Sequence, residues 1–107
     1  MLKVNPGGWR VLIRVPEIKD KIKSIIIPEA AKDIYKMASQ IGVVEALGPD
    51  AYMGEKFSGA PWAVEGDYVL IGKFAGVRFK IDGVEHRIIN DDEVLAVITD
   101  PDSVTGV

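Results

Sequence analysis

Six short apolar runs, each bounded by turn-forming residues, constrain the fold of this chain more than any other feature of its sequence. They are four to seven residues long, and several alternate apolar and polar positions, which is the period of a β-strand. No stretch between them combines helical periodicity with the length and caps of a stable helix. Parallel strands need long crossovers, so the pattern predicts an antiparallel all-β fold. The predicted strands cover residues 9–15, 41–47, 68–71, 77–81, 84–89 and 94–98.

A hairpin is predicted where Asp82 and Gly83 separate two of these runs. An Asp-Gly connection is typical of a type I′ turn, because both central residues of that turn need a positive φ. Closely spaced strands with Gly-rich corners favour a small irregular antiparallel β-barrel, in which Gly42 allows a bend or a close approach.

The first and last runs predict self-association. The run at 11–15 is expected to form a half-buried strand with its apolar side chains on one face, and the run at 94–98 is apolar throughout. Both are expected at edges, where a single domain of 107 residues could expose them only at a cost. The chain is therefore predicted to form a homo-oligomer.

Composition argues against several classes of function. The chain has no cysteine, which excludes disulfides and thiolate sites and is compatible with a cytoplasmic setting. No run approaches the ~20 apolar residues of a membrane span, and no secretory signal is visible. The 13 Lys and Arg and 16 Asp and Glu are spread along the chain and give a net charge of -3. Membranes and nucleic acids are therefore not expected as partners.

The sequence shows no catalytic constellation and no metal or cofactor site. His86 is the single histidine. It is expected to be a solvated strand residue without a role, since no further ligand accompanies it. Asp91, Asp92 and Glu93 lack the spacing of a calcium loop and are expected to form a charged turn. The chain is predicted not to be an enzyme.

Three consecutive isoleucines, Ile25, Ile26 and Ile27, stand inside a charged segment of weak periodicity. One interpretation is a short buried strand, because β-branched residues favour extended backbone. The other is a hydrophobic anchor for another protein on a surface loop. The charged flanks favour the anchor, as does Pro28, which lacks the backbone donor that a central strand needs. The residues alone leave both interpretations open.

Aromatic residues are interleaved with glycines in the irregular stretch 50–65. Tyr52, Phe57 and Trp62 could form a stacking surface for a ligand or for single-stranded nucleic acid. The favoured interpretation is that these rings pin the loop to its own domain, since few basic residues accompany them.

Five segments follow one another in an order that resembles the chaperonin-10 family, the GroES-like co-chaperonins. No single segment is specific for the family, but the order and spacing of all five over about residues 6–98 are specific for it. Lys23-Ser24, where the family often has glycines, and the aromatic stretch indicate a divergent member and are compatible with a phage-encoded one. The five segments are Pro6 with 10–14, then 25–32, 41–48, 66–71 and 90–98.

The resemblance implies a ring of subunits, a homoheptamer, that caps a chaperonin-60 (GroEL-like) ring in an ATP-dependent manner and closes its folding chamber. It implies a mobile loop at about 17–36, a roof loop at about 49–65 and a flexible tail at 99–107. Ile25, Ile26 and Ile27 would bind the chaperonin, whereas the first and last strands would pair between neighbouring subunits. The nucleotide would belong to the partner, so no cofactor is implied. Two alternatives remain: a small β-barrel that binds a ligand or single-stranded nucleic acid, and a structural ring component.

Overall fold

A computed structural model describes residues 3–16 and 40–100 and contains six β-strands in those ranges. Short 3-10 turns at Glu55–Phe57 and Asp91–Glu93 are the helical elements of this part of the chain, and none is long and apolar enough to cross a membrane. The predicted all-β class is therefore confirmed. The strands are β1 (Arg10–Arg14), β2 (Ile41–Leu47), β3 (Tyr68–Ile71), β4 (Val77–Ile81), β5 (Val84–Asn90) and β6 (Val94–Ile98).

The six strands form one antiparallel sheet in the order β4-β5-β1-β2-β3-β6. Only the turn Asp91–Glu93 separates β5 from β6, although the two strands lie near opposite ends of the sheet. The sheet must therefore curl until its two ends approach each other. Among the described residues β4 pairs with β5 alone and β6 with β3 alone, so the curled sheet is an irregular barrel that is not closed by a ladder.

β1 lies in the centre of the sheet, which corrects the expectation that residues 11–15 form an edge. It pairs with β2 on one side and with β5 on the other. Val11 and Ile13 face the core, and Leu12 on the opposite face is also only 1% exposed. The strand is thus buried on both faces and not half buried, and it also has a hydrogen-bonded neighbour along each edge.

The core fills the inside of the curled sheet and is built from the strands and from the connection between β2 and β3. The strand residues are almost completely buried, and the burial of apolar side chains is the main force that stabilises such a domain. The residues of this cluster are Val11, Ile13, Val44, Tyr52, Phe57, Ala63, Val69, Ile71, Ile89 and Val94.

The predicted hairpin between β4 and β5 is confirmed. Asp82 has φ of 51° and Gly83 has φ of 84°, so both central residues occupy the left-handed region that a type I′ turn requires. The turn fixes the register in which Ile81 pairs with Val84.

Candidate functional site

The residues predicted to bind a chaperonin, Ile25, Ile26 and Ile27, lie outside the described residues, as does the segment 17–36 around them. The structure describes the two points that flank this part of the chain. Pro16 follows the end of β1, and Gln40 precedes the start of β2. Because β1 and β2 are antiparallel neighbours, both points lie at the same end of the sheet.

Backbone hydrogen bonds hold both flanking points. The N–H of Val15 donates to the carbonyl oxygen of Glu85 on β5, with an N–O distance of 2.9 Å. The N–H of Ile71 on β3 donates to the carbonyl oxygen of Gln40, with an N–O distance of 2.8 Å. Residues 17–39 therefore begin and end on backbone that is hydrogen-bonded to β5 on one side and to β3 on the other.

An ion pair adds a side-chain contact near the same end of the sheet. Nε of Arg14 on β1 lies 2.7 Å from Oε1 of Glu45 on β2. Both side chains are partly exposed, so the pair contributes at most ~1 kcal/mol. The backbone ladder, and not this ion pair, is the main support of the two flanking points.

Aromatic packing pins the β2–β3 connection to the barrel, as the favoured interpretation predicted. Tyr52 and Phe57 are 4% and 5% exposed, and their ring centroids lie 5.0 Å apart in an edge-to-face arrangement. Trp62 packs 4.9 Å from Phe57 and is 43% exposed. Since two of the three rings are buried, their faces are not available for stacking with bases.

The predicted charged turn at Asp91–Glu93 is confirmed, and each carboxylate has a partner within the protein. Buried Asp91 accepts a hydrogen bond from the backbone N–H of Tyr52 at 3.0 Å. Asp92 accepts one from Lys56 at 2.7 Å, and Glu93 caps the turn by accepting one from the N–H of Asn90 at 2.7 Å. The residues described form no cluster of three or more His, Asp or Glu side chains that could hold a metal ion.

The turn also changes the acidity of the tyrosine that it holds. Burial of the side chain, followed by the negative charges of Asp91 and Asp92, raises the pKa of Tyr52 to about 12. The phenol therefore stays neutral well above the pH at which an exposed tyrosine ionises.

Two polar side chains on β5 are buried, and the sequence predicted the burial of neither. His86 is 7% exposed, and its Nδ1 lies 2.8 Å from the carbonyl oxygen of Val84, so the prediction of a solvated histidine is wrong. Arg87 is 0% exposed and donates from Nη1 to backbone carbonyls of the turn 72–75. The physical reason is local packing: the turn 72–75 lies against Arg87, and the ring of Phe79 on β4 lies beside His86, with the ring centroids 6.1 Å apart.

The two ends of the sheet expose apolar side chains. Leu95 and Val97 on β6 are 65% and 39% exposed, and Val77 on β4 is 68% exposed. Phe74, in the turn between β3 and β4, is 88% exposed and lines an open depression of about 480 Å³ together with Leu95. Phe74 and Leu95 are thus exposed side by side, and adjacent exposed apolar side chains on a small domain are typical of an interaction site.

Comparison with known proteins identifies the family. The model of the family described as the chaperonin 10 Kd subunit matches residues 3–98. This chain belongs to the chaperonin-10 family. The Co-chaperonin GroES of Caldicellulosiruptor saccharolyticus is 39% identical over 101 residues, which cover 92% of this chain and 100% of that protein.

Two further relatives from other bacteria agree. The Co-chaperonin GroES of Natranaerobius thermophilus is 35% identical over 98 residues, covering 91% of this chain and 99% of the relative. That of Lawsonia intracellularis is 37% identical over 100 residues, covering 92% and 94% respectively. The family predicted from the order of the five segments is confirmed, and so is the co-chaperonin class. A ligand-binding or nucleic-acid-binding barrel is not favoured.

Proposed function

We propose that this chain is the lid of a chaperonin chamber. Seven copies form a ring that caps a GroEL-like chaperonin-60 ring in the presence of ATP, in the cytoplasm. Ile25, Ile26 and Ile27 dock in an apolar groove of the chaperonin. The partner holds and hydrolyses the nucleotide, so the lid itself is not an enzyme and needs no cofactor.

The observation that carries the proposal is the family match over residues 3–98, which includes the whole predicted docking segment 17–36. The geometry of the barrel supports it. Residues 17–39 lie between Pro16 and Gln40, and both Gln40 and Val15, which precedes Pro16, are hydrogen-bonded to the sheet. A docking segment that is held at both ends can transmit the force of binding to the barrel without unravelling it.

The strength expected of a single docking segment suits a reversible lid. Burying three isoleucines at ~1.5–3 kcal/mol each gives a gross gain of about 5–9 kcal/mol. In this proposal the segment is mobile in the free protein, and ordering it takes back ~2–5 kcal/mol. One segment therefore binds weakly, whereas several on one ring raise avidity by ~10²–10⁴ and still allow release.

A substitution of aspartate for Ile26 tests the proposal. The carboxylate would enter an apolar groove without a partner, at a desolvation cost of several kcal/mol in every subunit. Ile26→Asp should therefore abolish ATP-dependent binding to a chaperonin ring in a pull-down or sedimentation assay. Thermal unfolding and the mass of the free oligomer should stay nearly unchanged.

Ala31→Asp is the matched control, because it places the same charge in the same segment outside the isoleucines. It should retain most of the binding. If Ile26→Asp unfolds or aggregates, the isoleucines form a core strand and the docking role is wrong. If Ile26→Asp folds and still binds the chaperonin, the anchor lies elsewhere. A parent protein that forms rings but binds no chaperonin would favour a structural ring component.

A further inference from the structure

Arg87 is fully buried, and only one of its three guanidinium nitrogens is engaged by the described part of the chain. Nη1 donates to the carbonyl oxygens of Gly72, Lys73 and Ala75 at 3.2, 3.0 and 3.3 Å. Nε and Nη2 meet no acceptor there. These two nitrogens form the edge of a guanidinium that binds a carboxylate or phosphate through two parallel hydrogen bonds.

A second guanidinium approaches the same place. Arg78 on β4 pairs directly with Arg87 on β5, and residues that pair directly project from the same face of a sheet. Nη2 of Arg78 lies 3.5 Å from the carbonyl oxygen of Lys73, which also accepts from Nη1 of Arg87 at 3.0 Å. The two positive groups therefore converge on one oxygen atom.

This arrangement is unfavourable, because it leaves two N–H groups of Arg87 without an acceptor and places two positive charges opposite each other, with the carboxylate of Glu85 compensating in part. Like charges in directly opposite positions destabilise a sheet. Burial lowers the pKa of Arg87, the positive charge of Arg78 lowers it further, and the negative charge of Glu85 offsets part of this decrease. An acceptor that carries negative charge would satisfy the free N–H groups of Arg87 and offset its repulsion from Arg78.

We propose that Arg87 and Arg78 form a binding site for a small oxyanion of the phosphate or carboxylate class. Nε and Nη2 of Arg87 donate to two of its oxygens, and Arg78 donates from the opposite strand. Nε and Nη2 of Arg87 are buried, so the anion reaches them when the side chain of Arg78, which is exposed on the end strand β4, moves aside. This site goes beyond the proposed lid function and does not depend on it.

Glu85 is the competing partner within the chain. It lies two residues before Arg87 on β5, so both side chains project from the same face. Its Oε2 is buried and meets no donor among the described residues. A rotation that brought this carboxylate onto Arg87 would satisfy both groups without a bound anion. Replacing Glu85 by glutamine therefore separates the two arrangements.

The test measures the melting temperature of the full chain in potassium phosphate, potassium acetate and potassium chloride at equal ionic strength. A bound anion should raise the melting temperature by about 4–8 °C once its concentration is roughly ten times its Kd. Phosphate also stabilises folded proteins non-specifically, so only a rise that depends on Arg78 counts. Such a rise in phosphate alone assigns the site to phosphate groups, and an equal rise in acetate extends it to carboxylates. Equal melting temperatures in all three salts would overturn the proposal.

Three substitutions test whether the anion-dependent rise in melting temperature comes from the proposed site. Arg78→Gln changes an exposed residue, so it should fold normally and lose the anion-dependent rise. Lys80→Gln removes an exposed positive charge from the same strand and should keep the rise. Arg87→Lys keeps the buried positive charge but cannot donate two parallel hydrogen bonds as a guanidinium does. If this variant folds, it should lose the anion-dependent rise in melting temperature. A rise that survives in Arg78→Gln would overturn the site.

Glu85→Gln completes the set. With a bound oxyanion, the loss of this nearby negative charge should leave the anion-dependent rise intact or increase it. If Glu85 is instead the partner of Arg87, the parent shows no anion effect and Glu85→Gln lowers the melting temperature in chloride. That result would replace the anion site with an internal ion pair.

Discussion

Gly42 on β2 lies so close to Ile13 on β1 that a Cβ atom on Gly42 would overlap the Cγ2 atom of Ile13. The register between the two strands shifts between Leu12 and Ile13, so the ladder is irregular at this contact. Gly42 is two residues after Gln40, where the described chain resumes. The close approach therefore helps to fix the end of the barrel at which residues 17–39 are joined to β1 and β2.

Gly42→Ala should destabilise the barrel, because the added methyl group has no room beside the buried side chain of Ile13. Overpacking of this kind costs ~1–3 kcal/mol. Urea unfolding followed by fluorescence measures the loss. Gly7→Ala is the control, since no atom lies within 4 Å of a Cβ atom at that position, and it should change stability by less than about 0.5 kcal/mol. Equal stabilities for the two variants would show that Ile13 moves aside freely.

The sequence predicted the positions of the strands well, because each apolar run ends at a glycine, proline or charged turn. The observed bounds of β2, β3, β4 and β6 coincide with the predicted runs, and β5 extends one residue further, to Asn90. The close approach at Gly42 was also predicted, since a glycine inside a strand favours it.

The neighbours of each strand could not be predicted in the same way. An alternating pattern shows which side chains share a face, but it does not show how many strands pair with the run. Residues 11–15 were therefore expected at an edge, whereas β1 is central. The burial of His86 and Arg87 was missed because it depends on the turn 72–75 and on the ring of Phe79, whose positions the pattern does not show. The position of Arg87 two residues before Ile89, on the face that points to the core, was the one available signal.

Asp91→Ala should loosen the β2–β3 connection. Asp91 is buried and accepts a hydrogen bond from the backbone N–H of Tyr52. Loss of the carboxylate leaves that N–H without a partner. Hydrogen bonds to charged groups contribute ~1.5–3 kcal/mol, and we expect a loss of stability in that range. Asp92→Ala removes an exposed ion pair with Lys56 and should cost under about 1 kcal/mol. Urea unfolding measures both losses. Equal losses for Asp91→Ala and Asp92→Ala would show that Asp91 does not hold the β2–β3 connection.

Tyr52→Phe should reduce the loss of stability at alkaline pH. The pKa of Tyr52 is raised to about 12 in the folded protein, whereas an unfolded tyrosine titrates near ~10. Below about pH 10 both states are neutral and the full stability is present. As the pH rises from about 10 to about 12, the tyrosine ionises first in the unfolded state, which stabilises that state. The free energy of unfolding is therefore lower by on the order of 1 kcal/mol at about pH 11.

The same variant has a second expected result near neutral pH. The hydroxyl of Tyr52 is buried without a hydrogen-bond partner in the described structure, so its removal should leave stability equal or raise it by up to ~1 kcal/mol. Urea unfolding of parent and variant at about pH 8 and about pH 11 checks both results. Parallel pH profiles for the two proteins would contradict the raised pKa.

Leu95→Asp tests whether β6 is the strand through which the subunits of the proposed ring associate. β6 has a ladder partner on one side among the described residues, and Leu95 is 65% exposed. A carboxylate at this position would lie unpaired in an apolar interface, which costs several kcal/mol for each contact. Sedimentation of Leu95→Asp at micromolar concentration should therefore show smaller species than the parent ring.

Val77→Asp is the control for Leu95→Asp, because Val77 is 68% exposed and lies on β4, at the other end of the same sheet. It should leave the ring intact, and the reverse result would place the contact at β4. Loss of the ring should also remove most chaperonin binding although Ile25, Ile26 and Ile27 are unchanged, because single docking segments forfeit the ~10²–10⁴ gain from avidity. A monomeric Leu95→Asp variant that binds the chaperonin as tightly as the parent would show that avidity is not what holds the lid in place.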